Sequence, residues 1–267
     1  MTSQKVLTVF RLAAINVHGF MSALNGKNNV DDLISILKPL NLDLLAVEEV
    51  DIGQNWKKIT ESLSLNYSTF DPTYGQYHGN GIASRYPIKD VSTRPTPFRC
   101  AGGKRSILQC RLDGDHPFIQ DRLFAVTHLD HLNEDDRLTQ IKHFRPHDSN
   151  IDILIGDMNA LTREDYSDKY YENIVAGKRK RSGWETPRFD LTKFITDEWK
   201  YEDAFKLMNP QLKDEEVVTC AYGTRIDYIY LRPRENDSWK LTKCSIINAQ
   251  PATDHNAVYA EFETLSE

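Results

Sequence analysis

Apolar residues in this chain fall mostly into short runs separated by polar turns, the pattern of strands, with a few stretches at helical spacing between them. Residues 151–155 (Ile-Asp-Ile-Leu-Ile) form one such run. The run is too short for a helix and is stopped by Gly156, so it predicts a buried strand that hands Asp157 and Asn159 to the turn beyond it. Residues 6–17 predict the first strand, ending at Asn16. Residues 42–47 predict the second, unbroken in its apolar character and so buried on both faces, ending at Glu48 and Glu49. Adjacent residues on a strand point to opposite faces, so only one of these two carboxylates is expected to face a common site. Between the two strands, Leu33, Ile34 and Leu37 recur at helical spacing until Pro39 stops the helix. Strand, helix, strand is the βαβ signature.

A second helix is predicted over 56–65 from Trp56, Ile59 and Leu63. Short strands follow at 67–70, 81–84, 106–112 and 123–127, spaced like antiparallel hairpins, and the last leads to His128. Asn133 is placed to cap the next helix, Glu134, Asp135 and Asp136 sit in its positive first turn, and Pro146 lies past its end. Leu138, Ile141 and Phe144 form its expected buried stripe. Residues 162–216 hold no sustained period apart from a short helix at 201–205. In the strand predicted over 224–231, alternation puts Arg225, Asp227 and Ile229 on one face and Ile226, Tyr228 and Tyr230 on the other. A buried Asp on that strand needs a partner. Strands at 241–249 and 257–262 follow, with Asp254 and His255 immediately before the second.

A length of 267 residues fits one large domain, 1–267, with a deep core. The net charge of -6 argues against indiscriminate coating of nucleic acid, which needs a basic field, and leaves room for a local basic groove. Cys100, Cys110, Cys220 and Cys244 have neither zinc spacing nor a disulfide pattern, so reduced thiols and an intracellular protein of cytoplasm or nucleus are expected. The N-terminus lacks the charged and apolar regions of a signal peptide, and no apolar run reaches the roughly 20 residues that span a bilayer. No membrane insertion is expected, and a monomer is.

Two cationic stretches stand out. Arg94, Arg99, Lys104 and Arg105 surround Gly102-Gly103, a loop able to approach a phosphate closely or simply to be solvated. Arg85 ends an earlier hairpin strand. Lys178, Arg179, Lys180 and Arg181 precede Trp184, a combination that can grip a nucleic-acid backbone and stack a base, serve as a nuclear address, or lie in solvent.

Polar groups recur where strands start or end: Asn16, Glu49, His128, Asp157, Asn159, Asp227, Asp254 and His255. Carboxylates and amides without thiolates suit a hard cation, Mg²⁺ or Mn²⁺. Histidines with a buried Asp to orient one of them suit proton transfer from water. Together they point to metal-assisted hydrolysis of a phosphate ester.

Six motifs in order carry a family resemblance: Asn16-Val17-His18-Gly19, Ala46-Val47-Glu48-Glu49-Val50, Thr127-His128-Leu129, Gly156-Asp157-Met158-Asn159, Arg225-Ile226-Asp227-Tyr228 and Thr253-Asp254-His255. The set resembles the endonuclease/exonuclease/phosphatase superfamily, the DNase I-like fold. The resemblance implies an α/β four-layer αββα sandwich, two packed mixed sheets flanked by helices, with the site at one edge. It implies Glu49 as principal metal ligand with Asn16 beside it and Asp254 in support. His255 would be the base for water with Asp227 orienting it, and Asn159 and His128 would hold phosphate oxygens. Asp157 keeps three roles open: activating water, protonating the leaving group or binding metal. Glu48 departs from the family, which usually has Gln there, and His128 stands where some abasic-site endonucleases have Tyr.

The expected activity is a divalent-metal-dependent phosphodiesterase on nucleic acid, as a nuclease or a tyrosyl-DNA phosphodiesterase-like enzyme. Arg105, Arg85, Lys178, Arg179, Lys180, Arg181 and Trp184 are its candidate substrate contacts. The alternatives are a hydrolase of a phosphoinositide, sphingomyelin or nucleotide, and a silent binding protein on the same scaffold.

Overall fold

The computed structural model describes residues 8–74, 78–235 and 237–264. The elements that build the sheets and flank the site are β1 (Val9–Asn16), α1 (Val30–Leu37), β2 (Leu44–Asp51), α2 (Gln54–Ser62), β3 (Tyr67–Tyr74), β4 (His78–Ser84), β5 (Ile88–Pro95), β6 (Ser106–Leu112), β7 (Leu123–His128), α3 (Glu134–Phe144), β8 (Ile153–Asp157), β9 (Glu202–Asp203), β10 (Asp227–Leu231), β11 (Trp239–Ile247) and β12 (Ala257–Thr264). They form two six-stranded sheets, ordered β11-β12-β1-β2-β4-β3 and β5-β6-β7-β8-β10-β9. Each sheet has one parallel pair, β1 with β2 and β7 with β8, and is otherwise antiparallel. This is the four-layer α/β sandwich that the motifs implied.

Strand alternation explains the layers. Phe10, Leu12 and Ala14 of β1 and Leu44 and Ala46 of β2 face the second sheet, meeting Leu108, Val126, Ile155 and Ile229. Their neighbours Ala13, Ile15, Leu45 and Val47 face outward onto Leu33 and Leu37 of α1 and Trp56 and Ile59 of α2. On the other side, Ala125, Leu154, Tyr228 and Tyr230 pack on Ile141 and Phe144 of α3 and on Leu191 and Ile195. Each fully buried Leu, Ile or Val contributes about 1.5–3 kcal/mol, so both faces of these strands are held in place by packing.

Some expectations need correction. β5 was not foreseen, because it is a mostly exposed edge strand without apolar alternation. Residues 162–216 contain a helical segment, 168–181, with Tyr171–Ala176 wound as π-helix, and a further one at 190–198. Lys178 to Arg181 therefore end a helix rather than lie in a loop. β2 runs past its two carboxylates to Asp51, with a register shift against β4 between Val47 and Val50. All four cysteines are free and buried.

Candidate active site

Register brings the polar strand ends together. Asn16 pairs with Glu48 across β1 and β2, and His128 with Asp157 across β7 and β8. Asp227 starts β10 opposite Asp157. Gly156 makes the β7–β8 contact possible: its φ is +145°, and a Cβ there would lie 1.8 Å from the Thr127 carbonyl oxygen. The segment before β12 is tied to the end of β1 by Thr253, whose hydroxyl donates to the Asn16 carbonyl at 2.9 Å. Asn29 reinforces the junction, donating to the carbonyls of Ala252 (2.7 Å) and Val17 (3.3 Å).

Asp157 is the hub. Its Oδ2 lies 3.3 Å from Asn16 Nδ2, 3.4 Å from His128 Nε2 and 3.8 Å from His255 Nε2. Its Oδ1 accepts the Asn159 backbone N–H at 3.0 Å, and Asn159 holds a left-handed φ of +50°. Burial, joined by the charge of Asp227 and opposed by that of His255, raises the Asp157 pKa to about 7. His255 Nδ1 lies 2.9 and 3.1 Å from the two oxygens of Asp227. Burial disfavours the charged imidazole, but the Asp227 carboxylate outweighs it and raises the His255 pKa well above its ordinary value. His128 goes the other way: burial, then Arg105 and His255, push its pKa well down and keep it neutral.

The two glutamates of β2 did not separate as regular alternation requires. Glu48 follows the alternation into the interior, where both its oxygens are buried without a hydrogen-bond partner among the described residues. Burial and the charges of Asp227 and Asp157 hold its pKa well above the ordinary carboxylate range. Glu49 sits in the bulge with φ +52°, which turns its side chain to the same site from the solvent side. Its Oε1 accepts from Asn16 Nδ2 at 3.2 Å.

Among the described residues three groups of side chains could hold a cation, one of them Cys100, Asp130 and Asp136. Asp157, Asp227 and His255 offer ligand atoms within 4.8 Å of one another. Within that trio His255 Nδ1 already bonds Asp227, while its Nε2 lies 3.8 Å from Asp157, so a cation there would compete with the Asp227–His255 bond. Glu49 and Asp254 fit a divalent cation better. They are a third and a fifth exposed, and their oxygens lie 3.8 and 3.4 Å from His18 Nδ1. Asn16 stands beside them, with its Oδ1 accepting the His18 backbone N–H at 3.0 Å.

His18, Glu49, Arg105, His128, Asp157, Asn159, Asp254 and His255 line one cavity of about 550 Å³. Arg105 is buried, with its Nη2 3.1 Å from His131 Nδ1. A second cavity of about 530 Å³ adjoins it, sharing His131, Asn159, Tyr222 and Ile226, and includes Lys178, Arg179 and Trp184. The Trp184 ring meets Tyr222 edge-on with centroids 5.0 Å apart, and Lys178 Nζ lies over Tyr222 at 4.9 Å. Lys180 and Arg181 are exposed and line neither cavity.

Arg85 is a correction. It follows Ser84, which pairs with Leu44, five positions before Glu49 and so roughly 16 Å away along the strand. Its guanidinium donates to Asn41 and the Leu42 carbonyl at the far end of the sheet. Arg94 likewise bonds the Phe144 carbonyl. Sequence reasoning missed Tyr222, which lines both cavities. His18 appeared only inside a motif, where its proximity to Glu49 had no local signal.

Comparison with known proteins agrees with this fold. The sequence profile described as the Endonuclease/Exonuclease/phosphatase family matches residues 13–255. The uncharacterised protein YbhP of Escherichia coli is 27% identical over 120 residues, 39% of this chain, and the match spans 47% of the YbhP chain, about half its length. An endonuclease/exonuclease/phosphatase from Beutenbergia cavernae superposes with a TM-score of 0.71 at 17% identity over 96% of this chain and 72% of the other. ANGEL2, a 2′,3′-cyclic phosphatase, gives 0.65 at 16% identity over 96% and 95%. D. rerio TDP2 complexed with single-strand DNA product gives 0.65 at 15% over 96% and 100%.

Proposed function

The chain belongs to the endonuclease/exonuclease/phosphatase family, and from that premise we propose that it is a divalent-metal-dependent hydrolase of nucleic-acid phosphodiesters. The observation that carries this reading is the convergence on Asp157 of Asn16, His128 and the His255–Asp227 pair from both sheets.

In this reading Asp157, with a pKa near 7, accepts the proton of the attacking water. This assigns the base to Asp157 rather than to His255, whose pKa the Asp227 carboxylate raises against burial, favouring the charged imidazole. His255 then stabilises negative charge on the phosphoryl oxygens, an interaction that strengthens as the transition state forms. His128, neutral, donates or accepts a hydrogen bond at the same group, and Asn159 orients Asp157 through its backbone N–H. Glu49 and Asp254, with Asn16 beside them, would hold Mg²⁺ or Mn²⁺. The cation would supply Lewis-acid neutralisation of phosphate charge.

Nucleic acid is favoured by the adjoining cavity, where Lys178, Arg179 and Trp184 offer cations and an aromatic edge within reach of the catalytic groups. TDP2, complexed with a single-strand DNA product, supports a nucleic-acid substrate, and ANGEL2, a 2′,3′-cyclic phosphatase, supports a phosphate ester. A phosphoinositide, sphingomyelin or free nucleotide is the competing substrate, and no helix among the described residues is long and apolar enough to cross a membrane.

The test is a panel: single-stranded DNA, duplex DNA, RNA, a 5′-tyrosyl oligonucleotide, a phosphoinositide and sphingomyelin, each with Mg²⁺, with Mn²⁺ and with EDTA. Turnover of an oligonucleotide that EDTA abolishes supports the reading. Turnover confined to lipid, or unaffected by EDTA, rejects it. Reversing Lys180 and Arg181 to Glu should flatten the slope of log binding against log salt by about 1–2, if these exposed charges meet phosphates.

A further inference from the structure

His18 does not behave like an ordinary loop residue. Three consecutive residues, His18, Gly19 and Phe20, have left-handed φ values of +50°, +61° and +58°. Left-handed backbone is unfavourable for side chains with a Cβ, and runs of it persist only where the surroundings impose them. Here the imposition is visible. The His18 N–H is held by Asn16 Oδ1 at 3.0 Å, Phe20 is buried in the layer under α1, and the Asn29 N–H donates to the Phe20 carbonyl at 3.1 Å. Gly19 eases the turn at φ +61°, and a Cβ on it would sit 2.8 Å from His78 Nε2, so that ring would have to move. The turn delivers the His18 imidazole to the rim of the site, with Nδ1 3.4 Å from Asp254 Oδ1 and 3.8 Å from Glu49 Oε2.

Those separations suit donors that share one ion. Two atoms each bound at about 2.1–2.2 Å lie about 3 Å apart when adjacent and up to about 4.3 Å apart when opposite. Both carboxylates reach the same ring nitrogen. The Asn16 Oδ1 accepts the His18 N–H with one of its two lone pairs. The site therefore presents a nitrogen donor among oxygens, and His78 lines the same cavity.

We propose that His18 is a ligand of the divalent cation and makes the site selective for an imidazole-accepting transition ion, Mn²⁺ as probe, over Mg²⁺. Imidazole suits first-row transition ions, whereas Mg²⁺ takes oxygen ligands and gives up water reluctantly. This inference rests on the placement of the cation at Glu49 and Asp254 in the functional reading above.

The test needs no substrate. Chelator-stripped protein is titrated with Mn²⁺, following free Mn²⁺ by electron paramagnetic resonance, and then with Mg²⁺ as competitor. Echo modulation from a directly bound imidazole nitrogen is recorded on the Mn²⁺ complex. The informative variant is His18→Asn, because Asn tolerates left-handed backbone and exchanges the nitrogen donor for an oxygen. Wild type should show the nitrogen signal and bind Mn²⁺ at least tenfold more tightly than Mg²⁺. His18→Asn should lose the signal and at least tenfold of Mn²⁺ affinity, while Mg²⁺ affinity changes less than threefold. His78→Asn should keep the signal. A nitrogen signal that persists in His18→Asn, or equal losses for both ions, overturns the role of His18. Full Mn²⁺ binding by Glu49→Gln instead overturns the cation placement itself, and this inference with it.

Discussion

Asn16 and Asp157, 141 positions apart in the chain and on different sheets, share a hydrogen bond of 3.3 Å from the Asn16 amide to the Asp157 carboxylate. The same amide donates to Glu49 at 3.2 Å, so one side chain joins the candidate cation ligand to the candidate base. The sheets pack through apolar side chains, and this pair is where that packing becomes a site.

If Asp157 is the base, its charge state governs turnover. With its pKa raised to about 7 by burial and by Asp227, it is the carboxylate above that pH and protonated below it. We expect kcat on a simple diester, bis(p-nitrophenyl) phosphate, to rise with pH through the neutral range. Asp157→Asn should lower kcat by roughly 10²–10⁴-fold and erase that limb. A variant with the same pH profile and near wild-type rate would move the proton transfer to another group.

Glu48 carries a cost that depends on pH. Its folded-state pKa lies well above the ordinary 4.5 through burial and through Asp227 and Asp157, so the folded protein binds its proton more tightly than the unfolded chain. That contribution to stability is complete below the unfolded value and is lost as pH rises through the folded one. Glu48→Gln cannot ionise. In EDTA it should be more stable than wild type at pH 8, with the difference shrinking towards pH 5, as read by urea denaturation. A difference that does not vary with pH would show that the pKa of Glu48 is the same in the folded and unfolded chain.

Arg225 anchors the strand that carries Asp227. It is buried with its Nε 2.7 Å from Asp165 and its Nη2 2.7 Å from Asp203, and its backbone N–H donates to the Tyr166 hydroxyl at 2.9 Å. Burial opposes its charge, but Asp203 and Asp165 outweigh burial and hold its pKa above the ordinary value. Arg225→Ala leaves two carboxylates with less than their full charge balance, Lys206 still reaching Asp165 at 2.8 Å. Breaking such a buried pair costs about 3–5 kcal/mol. Chemical denaturation should show a loss in that range. A loss below about 1 kcal/mol would mean that the two carboxylates find other partners.

Much of this was legible in the residue order. Strands end where apolar runs meet Asn16, His128 and Asp157, and that is a local fact of each segment. The facing of Ile229 opposite Tyr228 and Tyr230 also followed from alternation, but Arg225 and Ile226 lie before β10 and depart from it, Ile226 packing in the cluster of Ile229 and Arg225 lying over the Tyr228 ring. The Asn133 cap was local too, its side chain accepting the Asp136 N–H at 2.8 Å. Such features involve neighbours within a few positions, so the chain reports them directly.

What only the tertiary structure decided is which ends meet and which side chains are spent elsewhere. Arg85 and Arg105 look alike as cations beside strands, yet one binds the 41–43 turn at the far end of the sheet and the other lines the site. The bulge that lets Glu48 and Glu49 share a neighbourhood depends on β4, some thirty positions later, and no local alternation contains it. Periodicity sets the face that a side chain takes on its own strand. The meeting of two strand ends comes from burying apolar faces drawn from the whole chain, and that energy belongs to no single segment.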